Sequence, residues 1–289
     1  MKPSPLQLAR PRSLDEALEL LAEHGDDAKV IAGGQSLVPL LNFRLAAPSL
    51  LVDLNELPGL AAIGIAEGSV RVGALCPQRD LERHAAALAA CPLLGLALPF
   101  VGHVATRNRG TVGGSIAHAD AAAELPLVLQ ALAGTVEVSG PDGVRLVAAE
   151  EFFVSHLTSC LEPEEIVTEV RFPAGGAGWG AGFAEVAPRH GDYAVCAVAC
   201  ALRVEDGVVA EARLGAGAVA DRPLRLADAE RALVGTRCEP DALAAAVAEA
   251  RAGVDPSDGM HASAEYRRHL AGVLAGRSAA RAYAMAVTA

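Results

Sequence analysis

Aromatic side chains make up only 3% of the 289 residues, with a single Trp. The core must therefore be built from Ala, Val and Leu. Basic residues are also in short supply: 24 Lys and Arg stand against 35 Asp and Glu, a formal charge of −11. An acidic chain without a basic block is a poor partner for nucleic acid or for an anionic membrane surface. The six cysteines form no Cys-x-x-Cys pair, no Cys/His cluster with zinc spacing and no ferredoxin-type run. Cys196 and Cys200 lie four apart in a strand-like run, roughly 13 Å, too far for a disulfide. Buried thiols in a reducing compartment are expected, hence a cytoplasmic protein. The start, MKPSPLQLARPRSL, has no apolar core of the kind a signal peptide needs. His118 and Asp120 lack a third ligand nearby, so no metal site is expected. No Ser/His/Asp or Cys/His constellation is present, so no catalytic side chain is assigned. One stretch, 85–102, carries no Asp, Glu, Lys or Arg, but Pro92, Gly95 and Pro99 interrupt it. It predicts a buried helix ending near the prolines, and no transmembrane segment.

What is present divides into three lobes of an α+β protein. Ser13 followed by Glu16 has the spacing of a capping box, and Leu14, Leu18 and Leu21 continue it as a helix to Gly25. Strands follow at 29–31 and 50–54, closing a first lobe at residues 1–57. Alternating Val70/Val72, Val136/Val138 and Ile166–Phe172 predict strands around Ala/Leu-rich helices near 78–98 and 121–133. That is a second lobe, 58–175. Glycine-rich 174–182 reads as a hinge or linker. In the third lobe, 176–289, Asp206-Gly207 predicts a hairpin between strands 193–204 and 208–217. Helices are predicted near 226–234, 240–252 and 263–286, the last as a solvated amphipathic helix.

Two short turns, in different lobes, carry the functional signal. One is Ala32-Gly33-Gly34-Gln35-Ser36; the other is Thr111-Val112-Gly113-Gly114-Ser115. Paired glycines let a backbone approach a ligand closely and turn its N–H groups outward, a concave anion site that needs no Lys or Arg. The hydroxyl after each pair could cap the following helix. Neither turn matches a dinucleotide fingerprint or a P-loop. Arg107 and Arg109, just before the second turn, are read as surface ion-pair residues.

With their flanks, these turns acquire specificity. Arg107–Asp120, then Glu124-Leu125-Pro126, then Arg189–Ala194, Asp255–Asp258 and His261–Arg267 together resemble the FAD-binding medium subunit of the molybdenum hydroxylases, the xanthine dehydrogenase and aerobic carbon monoxide dehydrogenase family. The resemblance implies the two-lobed FAD-binding fold of the vanillyl-alcohol-oxidase type, with a C-terminal lobe holding a small antiparallel sheet. It implies cofactor contacts from Val30, Ala32, Gly33, Gly34, Gln35, Ser36 and Leu37 in the first turn. Thr111, Gly113, Gly114 and Ser115 match the second. His118 and Glu124 match the ribityl side, Leu161 a position near adenine, and Val101 and Tyr193 positions beside the isoalloxazine. Many relatives carry Asn at the Ser115 position, and an aromatic where this chain has Val101. The implied function is an FAD-dependent oxidoreductase subunit that transfers electrons. A small [2Fe–2S] subunit and a large molybdenum-cofactor subunit complete a heterotrimer. NAD, oxygen or a quinone-linked carrier is the electron acceptor. A stand-alone FAD enzyme acting on a small molecule is the alternative. Valine at Gly33 or Gly113 is expected to abolish flavin retention with the fold largely intact.

Overall fold

A computed structural model describes residues 2–288. The first lobe is a three-stranded parallel sheet, β1 (Gln7–Ala9), β3 (Leu50–Asp53) and β2 (Ala28–Ile31), ordered β1-β3-β2. Between β1 and β2 runs α1 (Leu14–His24); between β2 and β3 runs α2 (Leu37–Phe43). The Ser13 hydroxyl accepts from Glu16 N at 3.2 Å, as the spacing predicts. The Glu16 carboxylate reaches past Ser13, however, and accepts from Arg12 N at 2.7 Å. Ala17, Leu21, Val52 and Leu54 form this lobe's core.

The second lobe is an antiparallel sheet ordered β4-β5-β10-β6-β7, from Ile63–Ala66, Ser69–Gly73, Ile166–Pro173, Thr135–Gly140 and Gly143–Ala148. A short ribbon, β8 (Phe153–Ser155) with β9 (Thr158–Ser159), precedes β10. Helices α3 (Gln78–Arg83), α4 (Ala85–Ala90), α5 (Pro92–Ala97), α6 (Val104–Arg107), α7 (Val112–His118), α8 (Glu124–Ala131) and α9 (Ala149–Phe152) link the strands. The region expected as one buried helix over 85–102 is thus α4, α5 and a further turn at Leu98–Phe100. Pro92 opens α5 instead of ending a helix. It has no N–H to give the preceding turn and its ring clashes with a carbonyl four residues back, so the chain breaks at Cys91 and restarts. Leu93, Leu94, Ala97 and Leu98 are still buried. No helix among the described residues is long and apolar enough to cross a membrane.

The third lobe is an antiparallel sheet ordered β11-β12-β13-β14, from Trp179–Val186, Cys196–Glu205, Val208–Gly217 and Leu224–Arg225. Helices α10 (Ala227–Leu233), α11 (Pro240–Ala252) and α12 (Ala264–Thr288) complete it. Asp206 and Gly207 both take positive φ, 51° and 76°, the backbone of the tight hairpin turn that the Asp-Gly pair predicts. β12 starts at Cys196, not Tyr193. It is buried on both faces. Ala197, Ala199 and Ala201 join the core of the second lobe, while Cys196, Val198, Cys200 and Leu202 face the C-terminal helices. All six cysteines are free, five of them buried.

Two expectations fail here for one reason. The glycine-rich stretch 174–182 is not a free linker, because its second half is β11. α12 is not a solvated helix either: Ala271, Ala275, Ala279 and Ala282 are fully buried against the sheet. A Cβ on Gly180 would strike the Ala282 carbonyl, and one on Gly182 the Ser278 carbonyl. The Ser278 hydroxyl donates to Val198 O at 3.2 Å across the same contact. Glycine and alanine here serve close helix-on-sheet approach, not flexibility. Gly182→Ala is expected to destabilise the chain by about 1–3 kcal/mol, the usual cost of overpacking a filled core. A denaturant midpoint indistinguishable from wild type would contradict this contact.

Candidate functional site

The first diglycine turn leaves β2 of the first lobe, and its Ala32 carbonyl is pinned by Asn55 Nδ2 at 3.0 Å. Gly34 has φ +71°, which turns the chain into α2. No partner within the described residues takes the backbone N–H groups of Gly33, Gly34, Gln35 and Ser36. They are the outward-facing donors that the sequence anticipates. Ser36 precedes α2 without a side-chain capping bond.

The second turn is built differently. Val112 N donates to Cys76 O and Gly113 N to Ala74 O, both at 2.9 Å. Gly114 N donates to the Thr111 hydroxyl at 3.0 Å, and Ser115 N to Thr111 O at 3.1 Å. These N–H groups are spent inside the protein, so this turn is not a second open nest. Its helix cap is Thr111, before the glycines, and not Ser115 after them. Gly113 is buried, and a Cβ there would collide with Ala74. Valine at Gly113 would therefore break the packing of α7 on the β5–α3 connection. The expectation that the fold survives this change fails, because the glycine is a packing residue.

The turns meet through Gly33. A Cβ at that position would strike the Arg109 carbonyl, with Gly110 Cα 2.9 Å away. The two turns thereby form facing walls of one cleft of about 770 Å³, within the range of cofactor sites. Val30, Ala32, Gly33, Gly34, Gln35, Ser36, Leu37, Val101, Thr111, Gly114, Ser115, His118, Glu124, Leu161 and Tyr193 all line it. Gly113 alone of the predicted residues does not.

The cleft is acidic. Lys29 is its one Lys or Arg, against Asp26, Asp120, Glu124, Glu162, Glu165 and Asp192. An anion seated there must be held by N–H groups and hydroxyls. Lys29 and Gln78 escaped the sequence reading, since one lies in an ordinary strand and the other far from both turns. Gly110, beside Thr111, could have been found from its place between two arginines and the turn.

Arg107 corrects the sequence reading most. Only 5% exposed, it is no surface residue. Its guanidinium donates to both Glu82 oxygens, at 2.9 and 3.0 Å, and to the carbonyls of Val101 and Gly102, at 2.9 and 3.2 Å. Arg107 thus fixes the loop that carries Val101 into the cleft. Arg79 shares the same carboxylate at 2.6 Å, and the two guanidiniums help hold Glu82 ionised below its ordinary range, against the opposing effect of burial. At the far end, the Arg145–Glu165 pair, 2.7 Å apart, and Glu162 N on Glu165, at 2.9 Å, hold the loop bearing Leu161. Tyr193 lies in the loop before β12, 70% exposed over the cleft, and not in a strand at a core edge. Asp120 accepts from Ala122 N at 2.9 Å, and no metal-holding group of three His, Cys, Asp or Glu exists among the described residues. Burial lowers the His118 pKa despite the neighbouring Asp120. Burial also raises that of Glu124, to about 7.

Residues 4–175 match the FAD binding domain in molybdopterin dehydrogenase, and residues 181–282 the CO dehydrogenase flavoprotein C-terminal domain. The chain belongs to the FAD-binding subunits of the molybdenum hydroxylases. It is 43% identical over 286 residues to the 6-hydroxypseudooxynicotine dehydrogenase complex subunit alpha of Paenarthrobacter nicotinovorans, covering 98% of this chain and 96% of that one. A chain of reconstituted CO dehydrogenase from Oligotropha carboxidovorans superposes with a TM-score of 0.96 at 34% identity, covering 99% of this chain and 100% of that one. Quinoline 2-oxidoreductase from Pseudomonas putida 86 gives 0.94 at 37% identity, covering 99% of each chain. The two-lobed FAD-binding fold with its third lobe, and membership of an FAD-dependent oxidoreductase family, follow from these matches.

Two outcomes are expected. Gly33→Ala should force the first turn off Arg109–Gly110 and open the cleft, abolishing flavin retention with far-UV circular dichroism unchanged. Undiminished flavin would refute the role of this contact. Glu124 binds its proton more tightly folded than unfolded, so it favours folding most at low pH. That contribution is lost as pH rises from about 4.3, the ordinary glutamate value, to about 7. Glu124→Gln should flatten stability across this window in equilibrium unfolding; an unchanged slope would show that Glu124 ionises normally.

Proposed function

We propose that this chain holds FAD across the cleft and is the electron-transfer subunit of a molybdenum hydroxylase complex. The observation that carries the reading is the junction at Gly33, which sets an open row of N–H donors against the Thr111 turn in a cleft of cofactor size. The diphosphate would lie on the N–H groups of Gly33 to Ser36, with the Ser115 hydroxyl opposite. His118 and Glu124 would line the ribityl side, Leu161 the adenine, and Val101 and Tyr193 the ring. Gly113 supports that wall from behind. The residues fit this cofactor: unpaired N–H groups suit a diphosphate, and glycine at 33 lets the first turn close against Arg109–Gly110 to form the cleft. The division of the chain follows the same reading. Lobes 1–57 and 58–175 clasp the cofactor, and 176–289 covers it.

Bound FAD supplies redox chemistry that no side chain here can provide. The protein's part is to bind it, orient it and keep one edge accessible beside Tyr193. Electrons would arrive from a small [2Fe–2S] subunit, supplied by a large molybdenum-cofactor subunit, and leave to NAD, oxygen or a quinone-linked acceptor. The absence of cluster-type cysteine runs in this chain is consistent with that division of labour.

The purified chain should show a flavin absorption spectrum and release FAD on denaturation. A colourless chain that also fails to take up added FAD would overturn the cofactor assignment. Reduction of the flavin by substrate only when partner subunits are present would support the electron-transfer role. Turnover of a small molecule by the chain alone would replace it with a stand-alone oxidoreductase.

A further inference from the structure

Gln78 is the first residue of α3 and lines the cleft, though it belongs to neither glycine turn. Its backbone N–H donates to Gly110 O at 2.8 Å, beside an isolated bridge between Pro77 and Thr111. Its side-chain Nε2 donates to Thr111 O at 3.4 Å, a long hydrogen bond. Main chain and side chain thus hold two successive carbonyls of the wall that faces the first turn. The other half of the amide is left over. Oε1 is completely buried and has no hydrogen-bond partner among the described residues, in a residue only 5% exposed. Turning the amide over would not mend this, because its oxygen would then face the Thr111 carbonyl oxygen, acceptor against acceptor. Glycine at 110 keeps the surroundings of Oε1 open: a Cβ there would stand 3.0 Å from it.

We propose that Gln78 is a cofactor-binding residue whose Oε1 accepts a hydrogen bond from a ribityl hydroxyl of the flavin. The assignment rests on the flavin reading above. Buried acceptors in folded proteins nearly always find a donor, so an orphan on the wall of a cleft marks a place where a ligand supplies one. The chemistry of FAD narrows the choice. Its diphosphate carries no N–H or O–H at neutral pH and would be repelled by an amide oxygen, so Gln78 does not serve that group. The donors are hydroxyls, the adenine amino group and one N–H of the ring. Position decides among them. The space that a Gly110 Cβ would fill is bounded by Gln78 and by the carbonyl of Thr106, 3.1 Å away. Thr106 lies in α6, directly after the Val101–Gly102 loop, and both segments line the cleft. Gln78 therefore stands between the junction that receives the diphosphate turn and the loop assigned to the ring. The ribityl chain is what joins those two groups in FAD. An uncharged amide oxygen also holds a hydroxyl without adding to the six acidic residues of the cleft.

The test compares the affinity of the flavin-free full chain for FAD with that for FAD analogues each lacking one ribityl hydroxyl, followed by flavin fluorescence. Wild type should bind one of these analogues roughly tenfold more weakly than FAD, the scale of a hydrogen bond to a buried acceptor. Gln78→Met, which keeps the length of the side chain and removes the acceptor, should bind that analogue and FAD alike. A merely structural role would weaken both ligands together and leave the preference in place, which would overturn the assignment. Wild type binding every analogue as tightly as FAD would overturn it without any variant. An analogue methylated at the ring N–H supplies the control. If the preference erased in Gln78→Met is the one for FAD over this analogue, the donor is the ring and the ribityl assignment falls. Failure of every protein to bind FAD would overturn the flavin reading and this assignment with it; binding without the expected preference overturns this assignment alone.

Discussion

The contact of Gly33 with the Arg109–Gly110 backbone is the constraint on which the site depends. It joins a loop of one lobe to a loop of another with no side chain between them. Everything in the cleft is referenced to that junction. One wall contributes free N–H donors. The other contributes a turn whose own N–H groups are already satisfied and which is therefore stiff. A ligand anion meets a soft wall of dipoles and a rigid wall of packed backbone, a pre-organised arrangement that needs no basic residue. This explains how a cleft with one lysine and six acidic residues can suit a diphosphate.

The stiffness has a second source. Arg107, nearly inaccessible, spends its guanidinium on Glu82 and on two carbonyls of the Val101–Gly102 loop. A buried ion pair of this kind adds little net stability over apolar packing, yet removing one partner typically costs about 3–5 kcal/mol, because the other is stranded. Its value here is geometric: it fixes the loop that carries Val101 into the cleft. The third lobe does the same on a larger scale. Small residues on α12, and Gly180 and Gly182 in β11, allow helix and sheet to touch backbone to backbone. The opposite face of the same sheet closes over the second lobe.

Much of this was legible in the chain. The Asp206-Gly207 hairpin, the helices at 227–233 and 240–252, and the alternating strands of the second lobe follow from local chemistry: turn residues that accept positive φ, Pro at a helix start, and apolar residues in period two. The paired glycines marked the cleft, and the flanking residues marked the family. Where the reading failed, the deciding partner was far away in sequence. The stretch 174–182 looked like a linker because glycine usually means freedom, but here its glycines admit the backbone of residues 278 and 282. Arg107 looked like a surface residue because nothing nearby in sequence announces Glu82 as its partner.

Sequence alone determined the composition of the core, the acidic charge and the two diglycine turns. Each of these is a property of residue type and near-neighbour spacing. Tertiary structure decided which diglycine offers its N–H groups and which packs against Ala74, and it decided that Thr111 rather than Ser115 caps its helix. Hydrogen-bond supply and burial depend on which distant segment lies opposite, and spacing along the chain carries no record of that.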